Sequence, residues 1–267
     1  MFIHSTEPDS RPPLRTRTCR QKPLAFRKLL VPLVLAAVTT SCSSSNTEHT
    51  SRVDCSNGQY VHVVFADVTN SGFSPQITQE YESAIHTVAA KAAACSGSIS
   101  VDTFGSSSGQ TVNLVQQSFA IEAPTENALT RKQEKLASEV TATAMSKLDQ
   151  AAALTPTSST DILGILRLFQ EAKAQQPDAT LEGLVLTDGF TNVGVDPAAA
   201  GSIAAASALA DQVAVPDLSG VDLTVAGIGR TNIAVPSSVI EQVTAFWKRV
   251  CERSNADSCT VVTKWQG

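Results

Sequence analysis

The chain has 267 residues, of which 42% are hydrophobic and 5% aromatic, and a formal net charge of −5. This length holds one large or two small domains, and scarce aromatics with plentiful alanine point to small-residue helices on a Val/Ile/Leu sheet. Residues 1–41 carry seven Lys/Arg against Glu7 and Asp9, so the rest of the chain bears a net −10, a poor match for nucleic acid.

The basic stretch from Arg11 to Lys28 precedes Leu29 to Val38, an apolar run too short to span a bilayer and of secretory length. Thr39-Thr40-Ser41-Cys42 follows. It resembles the lipobox of bacterial lipoproteins, with Thr39 where the family prefers an aliphatic residue. The resemblance implies a signal peptide over 1–41, acylation of Cys42, and residence on the outer face of the bacterial cell membrane; secretion after cleavage near the same point is the alternative. Residues 42–55 are Ser/Thr-rich and read as a flexible tether, with a folded domain over 56–267. Apart from Cys19 in the leader and Cys42, four cysteines remain, an even number that suits disulfides in an exported chain. Three pairings are open, and the expected one joins Cys55 to Cys95 and Cys251 to Cys259.

Tyr60 to Ala66 is apolar and largely β-branched or aromatic, too short for a typical helix, and reads as a buried strand ending at Asp67. Pro75 opens a helix that runs to Cys95. Ile99 to Phe104 and Thr111 to Ala120 are strands joined by a short Ser/Gly turn, hence an antiparallel hairpin. Asn127 to Ala153 is a long helix, and Ile162 to Gln176 another. Leu181 to Thr187 is the second buried strand, followed by a Gly/Pro/Asn loop and an Ala-rich helix over Ala199 to Val213. Val221 to Ile228 is a third buried strand. A capping box from Ser238 to Glu241 starts the last helix, and Cys259 to Trp265 closes as a strand. This order is that of an α/β, doubly wound, mostly parallel six-stranded sheet with one antiparallel edge strand and helices on both faces.

Where the first strand stops, Asp67, Thr69 and Ser71 place hard oxygen donors on alternate residues, and Asp188 ends the second buried strand in Leu-Thr-Asp-Gly. Thr160 opens the helix between them. Two carboxylates and three hydroxyls at the carboxyl ends of parallel strands suit a small hard cation. The set resembles the von Willebrand factor type A domain and its metal-ion-dependent adhesion site. Asp67, Thr69 and Ser71 match the family's Asp-x-Ser-x-Ser, with Thr69 for the first serine. Thr160 matches its central threonine, and Thr187, Asp188 and Gly189 its Thr-Asp-Gly. The resemblance implies strand order 3-2-1-4-5-6. It also implies Mg²⁺, with Mn²⁺ or Ca²⁺ as substitutes, held directly by Thr69, Ser71 and Thr160 and through water by Asp67 and Asp188. The partner would be a protein presenting an acidic side chain, and the function binding rather than catalysis. A metal-independent envelope protein on the same fold is the alternative.

Other motifs are weaker. Gly105 to Gly109 fits Gly-x-Ser-x-Gly, but a strand follows where a nucleophile elbow needs a helix, and no histidine lies downstream of Ser107. Gly227-Ile228-Gly229 lacks the third glycine of a dinucleotide fingerprint. A strand-ending Asp nucleophile of the haloacid dehalogenase type needs a second Asp where Thr69 stands. Phe73 and Phe190 follow the two loops and read as lid packing or as an apolar rim around a ligand.

Overall fold

The computed structural model describes residue 55 and residues 58–71, 73–155 and 159–265. The leader, the proposed anchor Cys42, most of the tether and Ser158 lie outside the described residues. Among the described residues, no helix is long and apolar enough to cross a membrane.

The strands are β1 (Tyr60–Asp67), β2 (Ser98–Phe104), β3 (Val112–Ser118), β4 (Thr180–Leu186), β5 (Val221–Ala226) and β6 (Ser258–Val262). The helices are α1 (Pro75–Ala94), α2 (Glu126–Leu154), α3 (Ile162–Gln175), α4 (Ile203–Gln212) and α5 (Ser237–Arg253). The sheet runs β3-β2-β1-β4-β5-β6, all pairs parallel except the β2–β3 hairpin. Both the order and the antiparallel edge are those expected.

Period-two alternation divides each strand between two cores. Val64, Ala66, Leu184, Leu186 and Ala226 face α1 and α2. Val61, Val63, Phe65, Val185, Leu223 and Val225 face the other way, toward residues of α3, α4 and α5. Every residue of β1 is buried, as a central strand covered on both faces must be. Cys55 pairs with Cys95 and Cys251 with Cys259, the expected connectivity. The second bridge ties the last turn of α5 to β6.

Three local expectations are corrected. The Ala-rich helix starts at Ile203, capped by the Ser202 hydroxyl, because Pro197–Ala199 forms a separate 3-10 turn and Gly201 then takes a φ of +79° that no helix continues. The capping box at Ser238 does not form: Pro236 precedes the first turn of α5 and no side chain caps it. The final strand ends at Val262 rather than at Trp265.

Candidate metal centre

β1 and β4 are neighbours at the point where the strand order reverses, and their carboxyl ends deliver Asp67 and Asp188 to one crevice. Asp67 is fully buried. Its Oδ1 accepts from the Thr69 N–H at 2.9 Å and the Thr69 hydroxyl at 2.6 Å, while Oδ2 accepts from the Thr187 hydroxyl at 2.7 Å. The Thr160 hydroxyl donates to that of Thr69 at 3.2 Å, which brings the third loop onto the first.

Thr160 is held by the loop that follows β4. Its N–H donates to Asn192 Oδ1 at 2.8 Å, and its carbonyl accepts from the Thr191 hydroxyl at 2.9 Å and the Asn192 N–H at 3.2 Å. The next residue, Asp161, caps α3 through the Gly164 N–H at 2.8 Å and accepts from the Ser108 N–H at 3.1 Å, so the Ser/Gly turn after β2 anchors the Thr160 loop. That is the structural use of the Gly-x-Ser-x-Gly segment.

Asp188 Oδ1 accepts from the Phe190 N–H at 3.0 Å. Its Oδ2 is buried without a hydrogen-bond partner among the described residues. The Ser71 hydroxyl stands near enough to ease the charge on Asp188 but does not satisfy that oxygen. Ser71 is itself positioned by the Asn232 N–H, which donates to its carbonyl at 3.0 Å. The five residues named from sequence thus converge, and the three hydroxyl residues among them, Thr69, Ser71 and Thr160, line an open cleft of about 400 Å³ together with Phe190, Asn192 and Ile233, with Asp67 and Asp188 buried beneath. Phe190 lines this cleft and packs against the α3/α4/α5 core, whereas Phe73 packs against the α1/α2 core.

Two glycines make the approach possible. Gly189 has a φ of +84°, and a Cβ there would stand 2.5 Å from Ile228 Cδ1. The Trp247 indole N–H donates to its carbonyl at 2.8 Å, fixing the turn. Gly227, at φ +105°, lets the end of β5 lie against the Thr187 backbone, where a Cβ would come within 2.6 Å of the carbonyl oxygen.

Burial raises the pKa of Asp67, against the pull of the Thr69 and Thr187 hydrogen bonds. Asp188 is pushed up to about 7 by burial and then by the Asp67 charge, offset in part by the Phe190 N–H and Ser71. The Tyr81 hydroxyl donates to the carbonyls of Asp67 and Leu186, each at 3.1 Å, and its own pKa is driven well up by burial and by the nearby carboxylates. Two carboxylates buried close together disfavour each other's ionisation, and a bound cation would reverse that.

The residues fit a hard divalent cation on two counts: every candidate donor is oxygen, and one buried carboxylate oxygen lacks a partner. Among the described residues, no group of three or more His, Cys, Asp or Glu side chains could hold a metal, so a centre here depends on the hydroxyls of Thr69, Ser71 and Thr160. Sequence reasoning missed the clamp made by Thr191, Asn192 and Asn232 and the hydroxyl bond from Thr187 to Asp67. The first two sit in a segment legible only as a loop.

No protein-family model matches this chain, and no curated protein matches it. Two structures of proximal thread matrix protein 1 from the mussel byssus are similar to it, at 15% identity with a TM-score of 0.36 and at 14% with 0.37. Each alignment covers 79% of this chain and 43% of that protein, so the chain spans less than half the length of these relatives.

Proposed function

We propose that this chain is a von Willebrand factor type A domain protein that binds a divalent cation, Mg²⁺ foremost, and through it an acidic side chain of a protein partner. The observation that carries the reading is the convergence of Asp67, Thr69, Thr160 and Thr187 in one hydrogen-bonded cluster beside the unpartnered Asp188 Oδ2. Thr69, Ser71 and Thr160 would hold the cation directly, with Asp67 and Asp188 orienting water around it. The cation supplies Lewis acidity toward a carboxylate from the partner. Thr69 keeps the cluster closed by bridging Asp67 and Thr160. Asn192 holds Thr160 at the mouth of the cleft, and Phe190 gives the partner an apolar edge to pack on. The proposal is one of binding, not catalysis.

Export is part of the same reading, supported by two disulfides, which form and persist in oxidising compartments. Attachment through Cys42 to the outer face of a bacterial membrane is the accompanying proposal. A second reading rests on a specific observation: both oxygens of Asp67 are already satisfied by Thr69 and Thr187, as a purely structural cap of the strand end would require. In that case the same fold meets its partner without metal.

Immobilised domain presented with envelope extract in Mg²⁺ and then in EDTA separates the two. The adhesion reading predicts retained partners that chelation releases and that Thr160→Ala fails to retain. Partners held equally well in EDTA would favour the metal-independent reading.

A further inference from the structure

Three large apolar side chains stand well exposed among the described residues: Leu154, Ile203 and Ile233. Leu154 ends α2 and Ile203 opens α4, whereas Ile233, 66% exposed, lines the cleft over the candidate metal centre. Apolar residues scattered singly over a surface need no explanation, but one at the mouth of a binding cleft is a contact waiting for a partner.

The segment that carries Ile233 joins β5 to α5 and is tied down on two sides. Arg230 pairs with Glu80 of α1. The Asn232 N–H donates to the Ser71 carbonyl at 3.0 Å, and the Asn232 side-chain amide donates to the Asn70 carbonyl. The Thr231 hydroxyl closes the turn on the Ile233 carbonyl. Ile233 is therefore held beside the loop that supplies Ser71, and a partner that buries it has little ordering left to do. Val235 lines the same cleft from this segment, and Phe190 from the loop after β4.

Charge restricts the partner further. Asp196 is the one charged residue among those lining the cleft; it is exposed, and its Oδ1 accepts from the N–H groups of Ala198 and Ala199 at 3.0 and 3.3 Å. A divalent cation would balance Asp67 and Asp188 and leave the Asp196 charge at the rim unmet. One partner carboxylate can reach the cation, but a second beside it would face Asp196 with no lysine or arginine on the described lining to offset the repulsion. An acidic run is thus disfavoured, and an isolated carboxylate with apolar company is favoured.

We propose, resting on the cation reading above, that the cleft selects a protein segment in which a lone acidic side chain has aliphatic or aromatic neighbours. The carboxylate meets the cation, and the apolar groups pack on Ile233, Val235 and Phe190. Four capped pentapeptides test this by saturation-transfer NMR on the full chain in Mg²⁺: Gly-Leu-Asp-Leu-Gly, Gly-Ser-Asp-Ser-Gly, Gly-Leu-Asn-Leu-Gly and Gly-Asp-Asp-Asp-Gly. The Leu-Asp-Leu peptide should saturate in the millimolar range and bind at least about tenfold more tightly than the other three. Ile233→Ser should reduce the ratio between the Leu-Asp-Leu and Ser-Asp-Ser affinities to about threefold or less. Because that ratio is taken within one protein, a change in cation affinity cancels from it. Thermal unfolding identifies a variant that fails to fold, in which case Val235→Thr decides.

Calorimetry with Mg²⁺ on the parent separates the two ways of failing. Absence of a saturable heat overturns the cation reading and the partner chemistry with it. A saturable heat overturns the partner chemistry alone if it comes with equal affinity for the Leu-Asp-Leu and Ser-Asp-Ser peptides, with equal or tighter binding of the Asn or triple-Asp peptide, or with a ratio unaltered in the folded variant. No saturable transfer from the Leu-Asp-Leu peptide up to about 20 mM does the same.

Discussion

The Thr187 hydroxyl donates to Asp67 Oδ2 at 2.7 Å, joining two residues 120 positions apart at the adjacent ends of β1 and β4. This bond links the two strand ends that the candidate centre depends on, and it occupies one of the two oxygens of a fully buried carboxylate. Thr187→Val keeps the shape of the side chain and removes the donor, leaving Asp67 Oδ2 unsatisfied. The expected loss is about 1–3 kcal/mol in urea unfolding, with Thr187→Ser recovering most of it.

Two buried groups set opposing pH dependences in the metal-free domain. Asp188 has a folded pKa near 7 against an ordinary 3.8, so its contribution is fully present below about 3.8 and is lost as pH rises through 7. Asp67 acts in the same direction. His62 is lowered from 6.5 to about 4, so its contribution is present above 6.5 and is lost as pH falls toward 4. Between pH 4 and 6.5 the two effects offset. Asp188→Asn removes one of the two carboxylate contributions, so across that window its unfolding free energy should change with pH more positively than the parent's, by at most about 1.4 kcal/mol per pH unit. The same variant should be more stable than the parent at pH 7.5 in EDTA. Denaturant titrations at pH 4.5, 5.5, 6.5 and 7.5 check both statements.

The disulfides differ in the length of chain they close. Cys55 and Cys95 are 40 positions apart, Cys251 and Cys259 only 8. On the loop-entropy account, removing the first pair by double Ser substitution costs about 4 kcal/mol and removing the second about 2.5 kcal/mol. Urea unfolding of the two double variants should rank them in that order. Alkylation of the unfolded parent without reductant should leave all four cysteines unmodified.

Much of this was legible in the sequence because it follows from local pattern. Apolar runs ending in Asp67 and Asp188 read as buried strands from local pattern; the resemblance to the type A family implies that they are neighbours at the reversal of the sheet, and they are neighbours there. What escaped depends on contacts between distant segments. Nothing near Asn192 in the chain tells that its side chain accepts from the Thr160 N–H. The polar row of His62, Glu182, Asp222 and Ser258 exists only once four strands are in register, and His62 taken singly reads as an ordinary core or edge residue. The capping box at Ser238 failed although its residue types are right, because Pro236 enters the helix with a backbone that places no side-chain oxygen over the first turn.

The most direct test is calorimetric titration of Mg²⁺ and of Mn²⁺ into the full chain and into Asp67→Ala and Asp188→Asn. If the crevice between β1 and β4 is a cation site, the parent gives a saturable heat for one ion per chain. Each variant, shown to be folded at the temperature used, then binds at least about tenfold more weakly. Equal heats from all three proteins, or no saturable heat from the parent with either ion, would contradict it.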